Sequence, residues 1–337
     1  MLFRSCVMVI NEIKFTLILC VLLLIVFGLW YGYDFYDTDF ADYGIEGIIL
    51  KEQILRANTL QDTDLLIIGD SSGLMGIDAL NLSKRLGGLR VESLCSMAWV
   101  GPAGYAKMLE KTYNTGNRPK ILILIFNYTQ FDRKCEWDTW EKMAAENPMH
   151  PKHIPAKGAI KQIYGKIIEP VAYNPLPGAY GQFYGDASAL RSFIQNNNGT
   201  AIDPNTGLDV HSLNELRQVN ANYSRKRDTA IDYSANQLFY AKLGDLSKCL
   251  PRFDSVYILV TPVPDLNYDL DSANARQITL SNIAKALSVP DSNIMNLPPY
   301  LPAYYFSTGT HLNKWGREYY TDLIADYLKT DGVMCNN

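Results

Sequence analysis

The chain has 337 residues, a formal net charge of -4 and an apolar share of 47%. That size and composition suit one large α/β domain carrying an insertion, or two modest domains, and exclude a disordered or low-complexity chain. With acidic side chains outnumbering basic ones and no basic stripe, nucleic acid is not an expected partner.

The first element is "FTLILCVLLLIVFGLWY", Phe15 to Tyr31, which carries no charge. It approaches the ~20 apolar residues that a spanning helix needs. Arg4 and Lys14 precede it; Trp30, Tyr31, Tyr33, Phe35 and Tyr36 follow, and then Asp34, Asp37, Asp39 and Asp42. Basic before, aromatic at the boundary and acidic after predicts a cytoplasmic tail over 1–14 and a single-pass membrane anchor over 15–33. Everything beyond would then face the periplasm or the exterior. The stretch "FGLWYGYDFYD" offers no small-x-small site for signal cleavage, and Cys20 follows Leu19 rather than a small residue, which argues against a lipoprotein signal.

Cys95, Cys135, Cys249 and Cys335 would be exported and could form up to two disulfides, whose pairing the sequence does not reveal. No CxxC pair occurs. The only close histidine pair, His150 and His153, sits in a Pro-rich stretch, so neither a metal nor another cofactor is expected.

Residues 34–61 read as a juxtamembrane segment with a helix, since Ile45, Ile48, Ile49 and Leu55 recur near helical spacing. From residue 62 onward, apolar runs alternate with amphipathic helices. The strands expected are 64–69, 89–94, 120–127 and 255–264, with a short one in "NIMNLP"; the intervening helices include 102–114, 235–250, 275–287 and 313–329. Alternation of this kind predicts a three-layer α/β/α domain over 62–337, built on a parallel sheet. Between the third and fourth strands, residues of about 131–234 are rich in Pro, Asn, Gly and aromatics. A structureless loop of that length is improbable, so this insertion is expected to be a cap with some helix of its own.

In open parallel sheets, ligands bind beyond the carboxyl ends of the strands. After the first strand comes Gly69-Asp70-Ser71; after the second, "CSMAWVGPAG" with Gly101; after the third, Asn127; and before the last helix, "STGTHLN" with His311. Ser71 needs a base, and His311 can serve. The N–H groups of Ser71 and Gly101 and the amide of Asn127 can meet the oxyanion formed when a serine attacks an ester.

The order Gly-Asp-Ser, Gly, Asn, His resembles the SGNH (GDSL) hydrolase superfamily, and "HLNKWG" is similar to the family's His-Leu-Asn-x-x-Gly ending. The resemblance covers about residues 62–329 and implies a flavodoxin-like fold. It assigns Ser71 as nucleophile, His311 as base, and Ser71, Gly101 and Asn127 as the oxyanion hole, with Gly104 a competitor for the Gly101 position. An anchor before such a domain also resembles the SGNH proteins of polysaccharide O-acylation, those of alginate O-acetylation and of D-alanyl transfer among them. By that likeness the substrate is a surface or exported polysaccharide, and a membrane-bound O-acyltransferase is an expected partner. The likeness leaves open a transferase, an esterase or a silent glycan-binding partner.

One position departs. The family's acid lies three residues before the histidine, where this chain has Thr308. Three readings stay open: a Ser71–His311 dyad oriented by Thr308 or a backbone carbonyl; an acid from Asp265 or Asp132; or a scaffold without turnover.

Overall fold

Four parallel strands lie in the order β2-β1-β3-β4: β1 (Leu65–Ile68), β2 (Val91–Ser93), β3 (Ile121–Phe126) and β4 (Ser255–Val260). The structure is a computed structural model and describes residues 44–131, 187–208, 231–265 and 270–333. The expected anchor 15–33, Asp132, His150, His153, Cys135 and Cys335 lie outside the described residues. Among the described residues, no helix is long and apolar enough to cross a membrane.

The two central strands show why their sequences are continuously apolar. LLII of β1 is wholly buried, and only the first residue of ILILIF in β3 is partly exposed. Strands covered on both faces have no solvent side to mark with polar residues. The register runs Leu65 beside Ile121 and Ile121 beside Ser255.

The helices follow from the strand order. A right-handed crossover from β1 outward to β2 and one from β2 back to β3 must use opposite faces. Accordingly α3 (Ala79–Arg85) packs with the last helix, α8 (Lys314–Thr330), whereas α4 (Gly101–Asn114) packs with α6 (Gln237–Ser247), and α6 with α7 (Leu270–Leu287). The result is an α/β fold with a parallel four-stranded sheet, consistent with a flavodoxin-like arrangement.

Proline sets where the expected fourth strand ends. Pro262 has no N–H to continue the ladder, so 255–264 splits into β4 and a short β5 (Val263–Pro264). The latter pairs instead with β6 (Tyr300–Leu301). The "NIMNLP" stretch forms one bridge, Ile258 to Ile294, before Pro298 and Pro299 stop it.

Two further segments close the domain. Helix α1 (Gly44–Ala57) buries Ile49 and Leu50 completely. Its buried Gln53 donates from Nε2 to the carbonyls of Cys95 (2.7 Å) and Gly199 (2.8 Å). Within the expected insertion, α5 (Ala187–Asn196) leads to a turn at Asn198 and Gly199, both at positive φ. The carbonyl of Asn198 accepts from Ser93 N–H at 2.8 Å, and its side-chain amide donates to the Val91 carbonyl at 2.9 Å. These bonds cover the outer edge of β2, which would otherwise be open to pairing with another chain. Cys95 and Cys249 are buried free thiols.

Candidate active site

Strand order turns back on itself at β1, whose chain leaves toward β2 while the next crossover returns to β3. The crevice at such a switch point is where open α/β sheets bind ligands. Ser71 emerges there. Gly69 lets the chain leave β1 tightly against β3, since a Cβ at this position would stand 2.6 Å from both the Cβ and the carbonyl oxygen of Ile125. Asp70 then caps α2 (Ser71–Gly76), and Ser71 is the helix's first residue. As such, its N–H has no acceptor inside the helix.

His311 Nε2 lies 3.0 Å from Ser71 Oγ. Both residues are part-exposed, so the pair is open to a substrate. With the hydrogen on Nδ1, Nε2 is the acceptor for the serine proton. The ring is carried on a tight hairpin: Phe306 and Leu312 form an antiparallel bridge, and the His311 carbonyl accepts from Ser307 N–H (2.9 Å) and Thr308 N–H (3.3 Å). The end of that hairpin is locked by Asn313, which caps α8 through Gly316 N–H (3.1 Å) and donates to the Tyr304 carbonyl (2.6 Å). Gly316 admits the Tyr305 backbone, whose carbonyl oxygen would be 2.2 Å from a Cβ there.

Thr308 touches His311 through the main chain. Its Oγ1 accepts from the backbone N–H groups of His311 (3.1 Å) and Thr310 (3.3 Å), a side-chain turn that shapes the loop. Asp265 is exposed, and its carboxylate accepts from Ala303 N–H at 3.2 Å, bracing the 303–305 turn.

Gly101 opens α4 with φ 61° and ψ -176°, a backbone region that only glycine enters freely. Gly104 is an ordinary buried residue inside the same helix. The turn before Gly101 is held from outside by Trp99, whose indole N–H donates to Glu46 of α1 at 2.6 Å. That turn, 98–100, also meets the 128–130 turn that follows Asn127. The loops after β2 and β3 therefore abut.

Asn127 is buried. Its Oδ1 accepts from Thr129 N–H (3.1 Å), and its amide donates one hydrogen to Thr261 Oγ1 (3.0 Å). Thr261 in turn donates to Ser72 Oγ at 3.0 Å, and Ser72 donates to Asp70. A directed chain thus runs Asn127, Thr261, Ser72, Asp70 and ties together the ends of β3, β4 and β1. Asp70 also accepts from Ser72 N–H at 2.9 Å. Complete burial raises its carboxyl pKa to about 6, against the opposing pull of the Ser72 hydroxyl and nearby backbone N–H groups.

Ser72 and Thr261 escaped the sequence reading, although Thr261 stands directly after the fourth strand, on the edge that yielded the other residues. Among the described residues, no group of His, Cys, Asp and Glu is placed to hold a metal. Compared with known proteins, the chain matches no family model and no curated protein.

Proposed function

We propose that this chain is a membrane-anchored, extracytoplasmic serine enzyme of the SGNH type that transfers or removes an acyl group on a polysaccharide. The observation that carries the reading is the 3.0 Å approach of His311 Nε2 to Ser71 Oγ at the carboxyl edge of a parallel sheet. Ser71 Oγ attacks the acyl carbonyl while His311 takes its proton. The oxyanion is met by the N–H groups of Ser71 and Gly101 and by the second amide hydrogen of Asn127. His311 then protonates the departing alkoxide, leaving an acyl group on Ser71. A sugar hydroxyl completes a transfer and water completes a hydrolysis, with His311 as base in either case. Residues 15–33 keep the site near a membrane-supplied donor or a membrane-bound O-acyltransferase, which favours transfer.

A second reading, a glycan-binding partner without turnover, is favoured by one observation: the hydroxyl of Thr308 serves the backbone where a carboxylate would support the imidazole. Incubation of the full chain with an activated aryl ester separates the two. The expected result is an acyl adduct on Ser71, found by mass spectrometry and lost in Ser71→Ala. Absence of both adduct and turnover, with glycan binding intact, would establish the silent partner.

A further inference from the structure

An open-sided trough of about 810 Å³ lies on the side of the molecule formed by α3, α8 and the 203–207 loop. We infer that this trough is a docking site for an uncharged polysaccharide chain. In that role it deepens the enzyme reading above, because a bound glycan would be held beside the helix that follows His311.

The first observation is aromatic exposure where a helix should be polar. Trp315, Glu318, Tyr319 and Asp322 recur at the spacing of one face of α8, and all four line the trough. Trp315 is 51% exposed and Tyr319 41%, and Tyr304 on the facing turn is 60% exposed. Of the eight large apolar side chains exposed among the described residues, these three gather in one concavity. Single exposed apolar residues are ordinary, but a cluster marks a binding surface. Tyr305 stacks on Tyr319 with planes 6° apart, which fixes the Tyr319 ring as a rigid platform. Flat rings of this kind suit the C–H faces of pyranose units.

The second observation concerns polar groups left without partners. Asn197 in the trough wall is fully buried, and neither its side-chain oxygen nor its nitrogen makes a hydrogen bond. Asp322 Oδ2 receives Arg85 at 2.9 Å, whereas its buried Oδ1 has no partner. Buried polar atoms are nearly always satisfied, so an ordered water between these atoms and the trough completes their bonding and offers a ligand hydroxyl a contact.

Charge then narrows the ligand. Four carboxylates (Asp78, Asp203, Glu318, Asp322) face three cations (Lys84, Arg85, Lys314). Arg85 is engaged with Asp322, and Lys314 with the Thr206 carbonyl and Glu318. A surface so balanced does not favour a polyuronate or teichoate. Against a protein partner, Lys, Glu and Asp are depleted in the cores of protein interfaces, although Trp, Tyr and Arg are enriched there.

The test is affinity electrophoresis of the full chain through gels containing soluble β-glucan, mannan or alginate. A neutral glycan should retard the wild-type protein, with alginate having less effect. Trp315→Ala and Tyr319→Ala should each weaken retardation about tenfold, and Trp315→Phe should restore most of it. Both positions are exposed, and unchanged melting temperatures would show that folding is intact. Ser71→Ala should bind the glycan as wild type does, so failure of the catalytic reading leaves this site standing. Equal retardation of wild type and both alanine variants would overturn the inference. So would no retardation by either neutral glycan, or capture of a protein through Trp315 in its place.

Discussion

Asp70 is a carboxyl group kept from water at the one turn the chemistry depends on, and its pKa, raised from 3.8 to about 6, acts on stability. Between those values the folded protein holds a proton that the unfolded chain has lost. The contribution of Asp70 to stability is therefore fullest below pH 3.8 and declines as pH rises through about 6, by about 3 kcal/mol. Asp70→Asn keeps the helix cap, since Asn caps nearly as well as Asp. Thermal unfolding between pH 4 and 8 is expected to slope downward more steeply in wild type than in this variant. At Thr308 the issue is orientation. An aspartate can accept the same two backbone N–H groups and still present a second oxygen to the imidazole. Thr308→Asp should raise aryl-ester turnover by at least about tenfold, within the ~10⁴ that a triad carboxylate can supply, and the gain should vanish with Ser71→Ala. Unchanged turnover would mean that another group already orients the ring.

The α8 helix and the hairpin before it form a single mechanical piece. In "HLNKWG" the sequence offered a family-like signature; the structure gives separate physical reasons for its residues. Leu312 closes the hairpin bridge, Asn313 caps the helix, and Gly316 makes room for the Tyr305 carbonyl. Gly316→Ala must push the 303–305 turn away from the helix, and that turn is continuous with the loop bearing His311. A loss of about 2 kcal/mol or more is expected in denaturant unfolding, together with slower acylation of Ser71. Preserved stability with full acylation would show that the loop tolerates the shift. Other elements were less legible. Helix α2, "SSGLMG", is only six residues long, has two glycines and shows no amphipathic period. The turn at 69–71 was readable, whereas the helix that aims Ser71 N–H was not.

At the scale of the whole molecule, the alternation of apolar runs with helices was enough to anticipate a parallel sheet and the edge on which Ser71, Gly101, Asn127 and His311 stand. The contacts that close the domain were not legible, because they join distant positions. No local pattern says that Asn198 will bond the outer strand at Ser93, or that Gln53 of α1 will hold the Cys95 carbonyl. The periodicity of α1 announced a helix and left its resting place open. Its placement has a consequence for reach. Because α1 is built into the domain and holds the turn before Gly101 through Glu46, it cannot serve as slack. With residues 15–33 in a membrane as proposed, ten residues separate that span from α1, and ten residues of chain cover at most about 35 Å. The start of α1 therefore stays within about 35 Å of the bilayer, and an acyl donor delivered there meets a domain that cannot drift far from the membrane.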